Sequence, residues 1–200
     1  TTFTGPNLTI GANSTLNWYQ NGTLAGKTIT IGSGTSYGTL AVGSGNALTF
    51  AADTALTGVF NLYDTTSAVI TNLGSITANS GTSYFYGPTV TNSGTVAASS
   101  GASLYFGYYA GETTTNTSGG TITATGTNSK IYLQNIVNQG TLSAQNNGAL
   151  YFQGTSNPTA NLGTVSLATG GHAYLNGTFD NTSSTLAAPT GGAYELSGGT

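Results

Sequence analysis

The chain has 200 residues, and 31 Gly, 39 Thr, 20 Ser and 19 Asn make up more than half of it, against two Lys, no Arg, five acids and one His for a net charge of −3. Two isolated cations cannot neutralise a run of phosphates, which excludes ordinary nucleic-acid binding, and no apolar run approaches the ~20 residues of a membrane span. The absence of Cys removes any disulfide framework, thiolate metal site or thiol nucleophile.

Hydroxyl and amide polarity with almost no charge is typical of material outside cells, and the lack of disulfides favours a bacterial or phage source. The first residue is Thr1, so the sequence reads as a processed chain or a slice of a longer one.

Short period-two segments begin at once. Leu8-Thr9-Ile10, Leu16-Asn17-Trp18, Leu24, Ile29-Thr30-Ile31, Leu40-Ala41-Val42, Leu48-Thr49-Phe50 and Phe60-Asn61-Leu62 each alternate, with Gly and Asn between them. From about residue 71 the order becomes regular. An Asn recurs at Asn72, Asn92, Asn116, Asn138, Asn161 and Asn181, with Gly soon after it in most copies. A short strand follows each time, as in Ile76-Thr77-Ala78, Val96-Ala97-Ala98, Ile122-Thr123-Ala124 and Leu142-Ser143-Ala144. After a Gly turn comes a triplet: Tyr84-Phe85-Tyr86, Leu104-Tyr105-Phe106, Ile131-Tyr132-Leu133, Leu150-Tyr151-Phe152, Ala173-Tyr174-Leu175 and Tyr194-Glu195-Leu196.

No stretch carries apolar residues at helical spacing, so the expectation is all-β with essentially no helix. A repeat of ~20–24 residues holding two or three strands predicts a parallel β-helix (a solenoid) of about nine turns, each strand pairing with its equivalent one turn on. Residues 1–200 form one domain in this reading, with irregular turns over 1–70 and regular turns over 71–200. A string of antiparallel sandwiches ranks second, because sandwich strands do not repeat in sequence at this interval.

Within each triplet the outer residues point into a narrow core and the middle one points out. The expected outward column is Asn17, Thr30, Thr49 and Asn61, then Phe85, Tyr105, Tyr132, Tyr151 and Tyr174, then Glu195. Five stacked aromatics make either a stabilising ladder or a contact surface for sugars or a neighbouring rod. The recurring Asn reads as an amide ladder at the bends, a structural device. Thr-x-Thr occurs at Thr28-Ile29-Thr30, Thr121-Ile122-Thr123 and Thr123-Ala124-Thr125. It looks scattered, which ranks an ice-binding surface below the other readings.

No catalytic, cofactor or metal site is expected. The acids are Asp53, Asp64, Glu112, Asp180 and Glu195. Asp180 and Glu195 fall in the last two turns but on different walls. That leaves Asp53 and Asp64, in adjacent turns, as the one plausible pair for glycosidic hydrolysis, which needs two carboxyls ~5–10 Å apart. His172 is the single histidine and has no acid near it in sequence. A Lys–Asn crosslink would need Lys27 or Lys130 buried beside an acid.

Gly22-Thr23-Leu24, Gly38-Thr39-Leu40-Ala41-Val42, Gly94-Thr95-Val96 and Gly140-Thr141-Leu142 are similar to the repeat words of bacterial surface adhesins, as are Ser14-Thr15-Leu16-Asn17-Trp18 and Asn21-Gly22-Thr23-Leu24-Ala25-Gly26. The chain resembles autotransporter-associated β-strand repeats and filamentous-haemagglutinin-like exoproteins. That resemblance implies a right-handed parallel β-helix, export to the cell surface or medium, and a structural or adhesive role, but transfers no site residue. The opening Thr2–Ile10 stretch and the closing Tyr194–Thr200 stretch both read as turns in progress. The expected partners are therefore other copies of the chain, head to tail or lateral, or surface glycans. A carbohydrate-binding β-helix is the alternative, with a polysaccharide-degrading enzyme behind it.

Overall fold

The computed structural model describes residues 5–64, 67–107, 112–153, 159–160, 162–177, 179–180, 186 and 189–196. Strand after strand pairs in parallel with its counterpart one coil later, and among the described residues there is no helix. Parallel pairing throughout the named strands rules out the sandwich alternative, whose neighbours would run antiparallel. The chain is a solenoid of about eight turns with three walls.

The first wall is an eight-stranded sheet of Asn7–Ile10, Thr28–Ile31, Ala55–Gly58, Ser75–Ala78, Thr95–Ser99, Thr121–Thr125, Thr141–Gln145 and Thr164–Ala168. The second is a nine-stranded sheet of Thr15–Trp18, Gly38–Val42, Phe60–Tyr63, Thr82–Tyr86, Ser103–Phe106, Lys130–Leu133, Ala149–Gln153, His172–Asn176 and Ala193–Leu196. The third is a six-stranded sheet of Gly22–Leu24, Ala47–Phe50, Val69–Asn72, Thr89–Asn92, Thr114–Asn116 and Ile136–Asn138. Thr159–Ala160 and Phe179–Asp180 form a further parallel pair.

Each strand has only three to five residues in these walls, enough to bury one to three of them. Inward positions on the first wall are Ile29, Leu56, Ile76, Val96, Ile122 and Leu142 in one column, and Ala78, Ala98, Ala124 and Ala144 in the next, all essentially fully buried. The alanines are the small inward residues the sequence places there. The second wall answers with Leu40, Leu62, Phe85, Phe106, Leu133 and Phe152.

Turn length varies more than the sequence interval suggests. Ser75 pairs with Thr95, a turn of 20 residues, while Thr28 pairs with Ala55, a turn of 27. Extra residues are accommodated at the corners: residues 32–37 separate Thr28–Ile31 from Gly38–Val42, where Val59 alone separates Ala55–Gly58 from Phe60–Tyr63, and Gly32 (φ 71°) and Gly34 (φ 58°) take the left-handed conformation there. Irregularity before residue 70 is therefore confined to corner length. Strands from this part continue the same three sheets, with Ala55–Gly58 pairing to Ser75–Ala78.

This register writes two outward rows onto the first wall. One runs Asn7, Thr28, Ala55, Ser75, Thr95, Thr121, Thr141, Thr164; the other runs Thr9, Thr30, Thr57, Thr77, Ala97, Thr123, Ser143, Ser166.

Candidate functional site

The second wall carries the aromatic column, though its membership differs from the sequence expectation. Backbone register places Asn61 beside Tyr84, Tyr84 beside Tyr105, then Tyr132, Tyr151, Tyr174 and Glu195. Phe85 does not belong to it. Its ring is 1% exposed, stacked on Phe106 at 4.5 Å and edge-on to Phe60 at 5.9 Å. The Thr82–Tyr86 strand sends Ser83 and Phe85 inward and Tyr84 and Tyr86 outward. An apolar–aromatic–apolar template misreads this segment, because aromatics occupy three consecutive positions. Ser83 is tolerated inside since its Oγ accepts a hydrogen bond from the Phe60 N–H at 3.0 Å.

The early members also scatter. Thr30 lies on the first wall, Thr49 on the third, and Asn17 aligns with Ala41 in a neighbouring column. Only Asn61 of that group continues into the Tyr84–Tyr174 column; Asn17 and Ala41 lead instead to Tyr63 and Tyr86.

From Tyr84 to Tyr174 the rings are stacked nearly parallel. Successive centroids are 5.3, 4.2, 4.8 and 4.6 Å apart, with interplanar angles of 22°, 7°, 18° and 10°. Tyr37 meets Tyr84 edge-on at 6.4 Å, and Tyr63 and Tyr86 form a tilted pair at 5.2 Å and 32°. Faces stacked this closely cover one another. What the column offers outward is a ridge of ring edges with one phenol group per turn.

Two columns flank this ridge. One contains Thr82, Ser103, Lys130, Ala149 and His172. On the other side Gln134 Nε2 donates to Gln153 Oε1 at 2.9 Å. At the far end His172 Nδ1 and Glu195 Oε1 are hydrogen-bonded at 2.7 Å, and the His172 ring lies 5.9 Å from Tyr174. Desolvation raises the Tyr151 phenol above its ordinary range, with the Tyr132 and Glu195 charges adding to it. Tyr174 is raised likewise, by desolvation first, then by the Glu195 charge, Tyr151 and a hydrogen bond to Glu195. Both phenols therefore remain neutral donors across the physiological range.

The recurring Asn sits inside the third wall. Asn72 Nδ2 donates to Asn92 Oδ1 at 2.8 Å, Asn92 to Asn116 at 2.7 Å and Asn116 to Asn138 at 2.7 Å; Asn138 donates to the Leu162 carbonyl at 2.7 Å. All four are at most 3% exposed. They line the core and present nothing to a ligand. Asn161 and Asn181 lie outside the described residues.

Asp53 and Asp64 do not converge, while Asp64 and Glu112 lie at one corner on either side of the Gly87 turn. Asp53 follows the third wall and is exposed, its Oδ1 accepting the Gly26 N–H at 2.8 Å. Asp64 lies at the corner leading into that wall, 3% exposed, with Oδ2 accepting the Ala68 N–H at 2.5 Å. The two thus occupy different corners and make no carboxylate pair across a sugar bond. Glu112, 5% exposed, accepts the Gly87 N–H through Oε1 at 2.5 Å. Neither Lys is buried: Lys27 donates to the Gly5 carbonyl, and Lys130 stands half-exposed beside the tyrosines. Among the described residues no group of three or more His, Cys, Asp or Glu could hold a metal ion.

In comparisons with known proteins, the chain matches no family model, no curated protein and no solved structure.

Proposed function

We propose that the chain is a structural and adhesive β-solenoid of an extracellular or cell-surface bacterial protein, with the tyrosine wall as its lateral contact surface and no catalytic role. The five-ring column Tyr84–Tyr174 carries this reading. A rod held by turn-by-turn backbone pairing resists bending. Tyrosines already ordered by stacking supply contact area at little further entropic cost.

Ring geometry favours a second copy of the chain over a glycan as the partner. A pyranose binds an aromatic side chain through the ring face, and here every face between Tyr84 and Tyr174 is covered by the next ring, which leaves only the two end faces of the column. Edges and phenol groups remain, and these suit interdigitation with another ridge.

The double variant Tyr105→Ala/Tyr132→Ala separates the cases. Loss of concentration-dependent association in analytical ultracentrifugation, with glycan-array binding unchanged, supports the contact between copies. Loss of glycan binding alone assigns the wall to sugars instead. Association and glycan binding both intact would end the contact-surface reading.

A further inference from the structure

We propose that the first wall is an ice-binding face, a function separate from the tyrosine wall and carried by different residues. The sequence alone makes its Thr-x-Thr motifs look scattered, because turns of 20 to 27 residues destroy any fixed interval. Backbone register restores the order. Of the sixteen outward positions in the two rows, ten are Thr and three are Ser.

The rows form a lattice with two repeats. Along the rod, equivalent residues are about 4.8 Å apart, the spacing of paired strands; across it, residues i and i+2 of a strand are about 6.6 Å apart. Both lie close to the oxygen repeats on the prism face of hexagonal ice. Eight rungs extend the array to about 34 Å. Each contact with water is weak, so a long run of matched positions is what such adsorption requires.

Side-chain chemistry fits the same occupant. Thr is stiff at χ1, so its hydroxyl and methyl are held at little ordering cost at the moment of contact. Its hydroxyl anchors one water while its methyl lets the surrounding waters close into a cage. Within the rows the Thr57 hydroxyl also accepts from Asn79 Nδ2 at 3.1 Å, and the Thr123 hydroxyl oxygen is buried. Thr28, Thr30, Thr95 and Thr164 are exposed, and Thr77 and Thr121 are half-exposed.

No charged residue stands in either row, and a charge would impose its own hydration shell on the lattice. Lys27 and Asp53 stop just short of the strands, at the corners. The rows also hold no aromatic or large apolar side chain, the residues that anchor protein partners. Ordered water is the ligand left. The third wall has a threonine column of its own, Thr23, Thr49, Thr71, Thr91 and Thr115. It is flanked by exposed Val69 and Leu73 and ends at exposed Val137, so it lacks the second uniform row.

The experiment is ice-affinity partitioning, with freezing hysteresis measured in parallel. Wild-type protein should concentrate in slowly grown ice and hold crystals below their melting point. Thr121→Tyr, which lifts the first wall off a flat crystal without touching the core, should lose most of both. Thr91→Tyr, the same change on the third wall, should retain them. Circular dichroism and melting temperature report that each variant is folded. Exclusion of the wild type from ice would overturn the proposal. So would full activity in a folded Thr121→Tyr variant, or a loss confined to Thr91→Tyr.

Discussion

Asn116 commits both ends of its amide to neighbours one turn away, accepting from Asn92 and donating to Asn138. Its Nδ2 also reaches the carbonyls of Gly120 and Thr141, each at 3.3 Å. Asn116→Ala strands buried polar groups in both adjoining turns, at about 1–3 kcal/mol for each group left unpaired. The unfolding free energy from urea titration should fall by at least one such increment, and the midpoint with it. Asn116→Asp should be no milder, since a carboxylate cannot donate to Asn138 Oδ1. Exposed Asn79→Ala should stay within about 0.5 kcal/mol of wild type. The Gly after the Asn follows from the same stacking: a Cβ on Gly94 would run into the Gly74 carbonyl of the turn below. This motif was readable in the sequence because a ladder demands one residue type at one place in every turn. Phe85 was not readable, because Tyr84, Phe85 and Tyr86 all suit a strand and only register decides which one faces inward. Phe85→Ala should therefore cost about 3–5 kcal/mol, the price of a buried ring. Tyr84→Ala should cost less, and equal losses would contradict the assignment.

At the scale of a wall, the tyrosine column behaves as one element. Tyr132 has stacked partners on both sides, at 4.2 and 4.8 Å. Aromatic pairs add about 0.5–1.5 kcal/mol each, so Tyr132→Ala should lose about 1–3 kcal/mol and most of the near-ultraviolet dichroism of coupled rings. Tyr151 and Tyr174 hold their protons more tightly folded than unfolded. Their contribution is therefore complete below the ordinary phenol pKa of about 10 and declines as pH rises beyond it. Thermal melts should be flat up to about pH 10 on this account and fall above it. Removing both phenols, as Tyr151→Phe/Tyr174→Phe, should shrink that alkaline loss. The parallel walls themselves followed from period-two alternation repeated at a near-constant interval after residue 71. Assigning the earlier strands to walls did not follow, since Ile29-Thr30-Ile31 and Leu48-Thr49-Phe50 look alike and lie on different walls. Alternation reports that a strand has an inside and an outside, not which sheet it joins. The threonine rows were hidden for the same reason.

A solenoid in which each turn touches only its neighbours should tolerate the loss of a whole turn far better than the loss of part of one. The segment from Thr121 to Gly140 is such a turn, because Thr121 pairs with Thr141 and Gly120 occupies the place that Gly140 takes one coil later. Excising residues 121–140 joins Gly120 to Thr141 at equivalent points of the coil. The first wall then pairs Thr95–Ser99 with Thr141–Gln145, Tyr105 stacks on Tyr151, and Asn116 inherits the Asn138 bond to the Leu162 carbonyl. Every column loses one member and none changes register. The shortened chain should fold, keep its strand dichroism, melt a little below wild type and be shorter by about 4.8 Å in small-angle scattering. A deletion of 125–144 removes the same number of residues and joins Ala124 to Gln145, the residue that follows Ala124's partner Ala144, so register is kept and it too should fold. Deleting 121–130 instead removes one strand of the first wall and begins to cut into the second, leaving Ser103–Phe106 against a displaced partner; that chain should fail. Failure of both whole-turn deletions, or survival of the half-turn one, would mean that stability is not passed from coil to coil as the register implies.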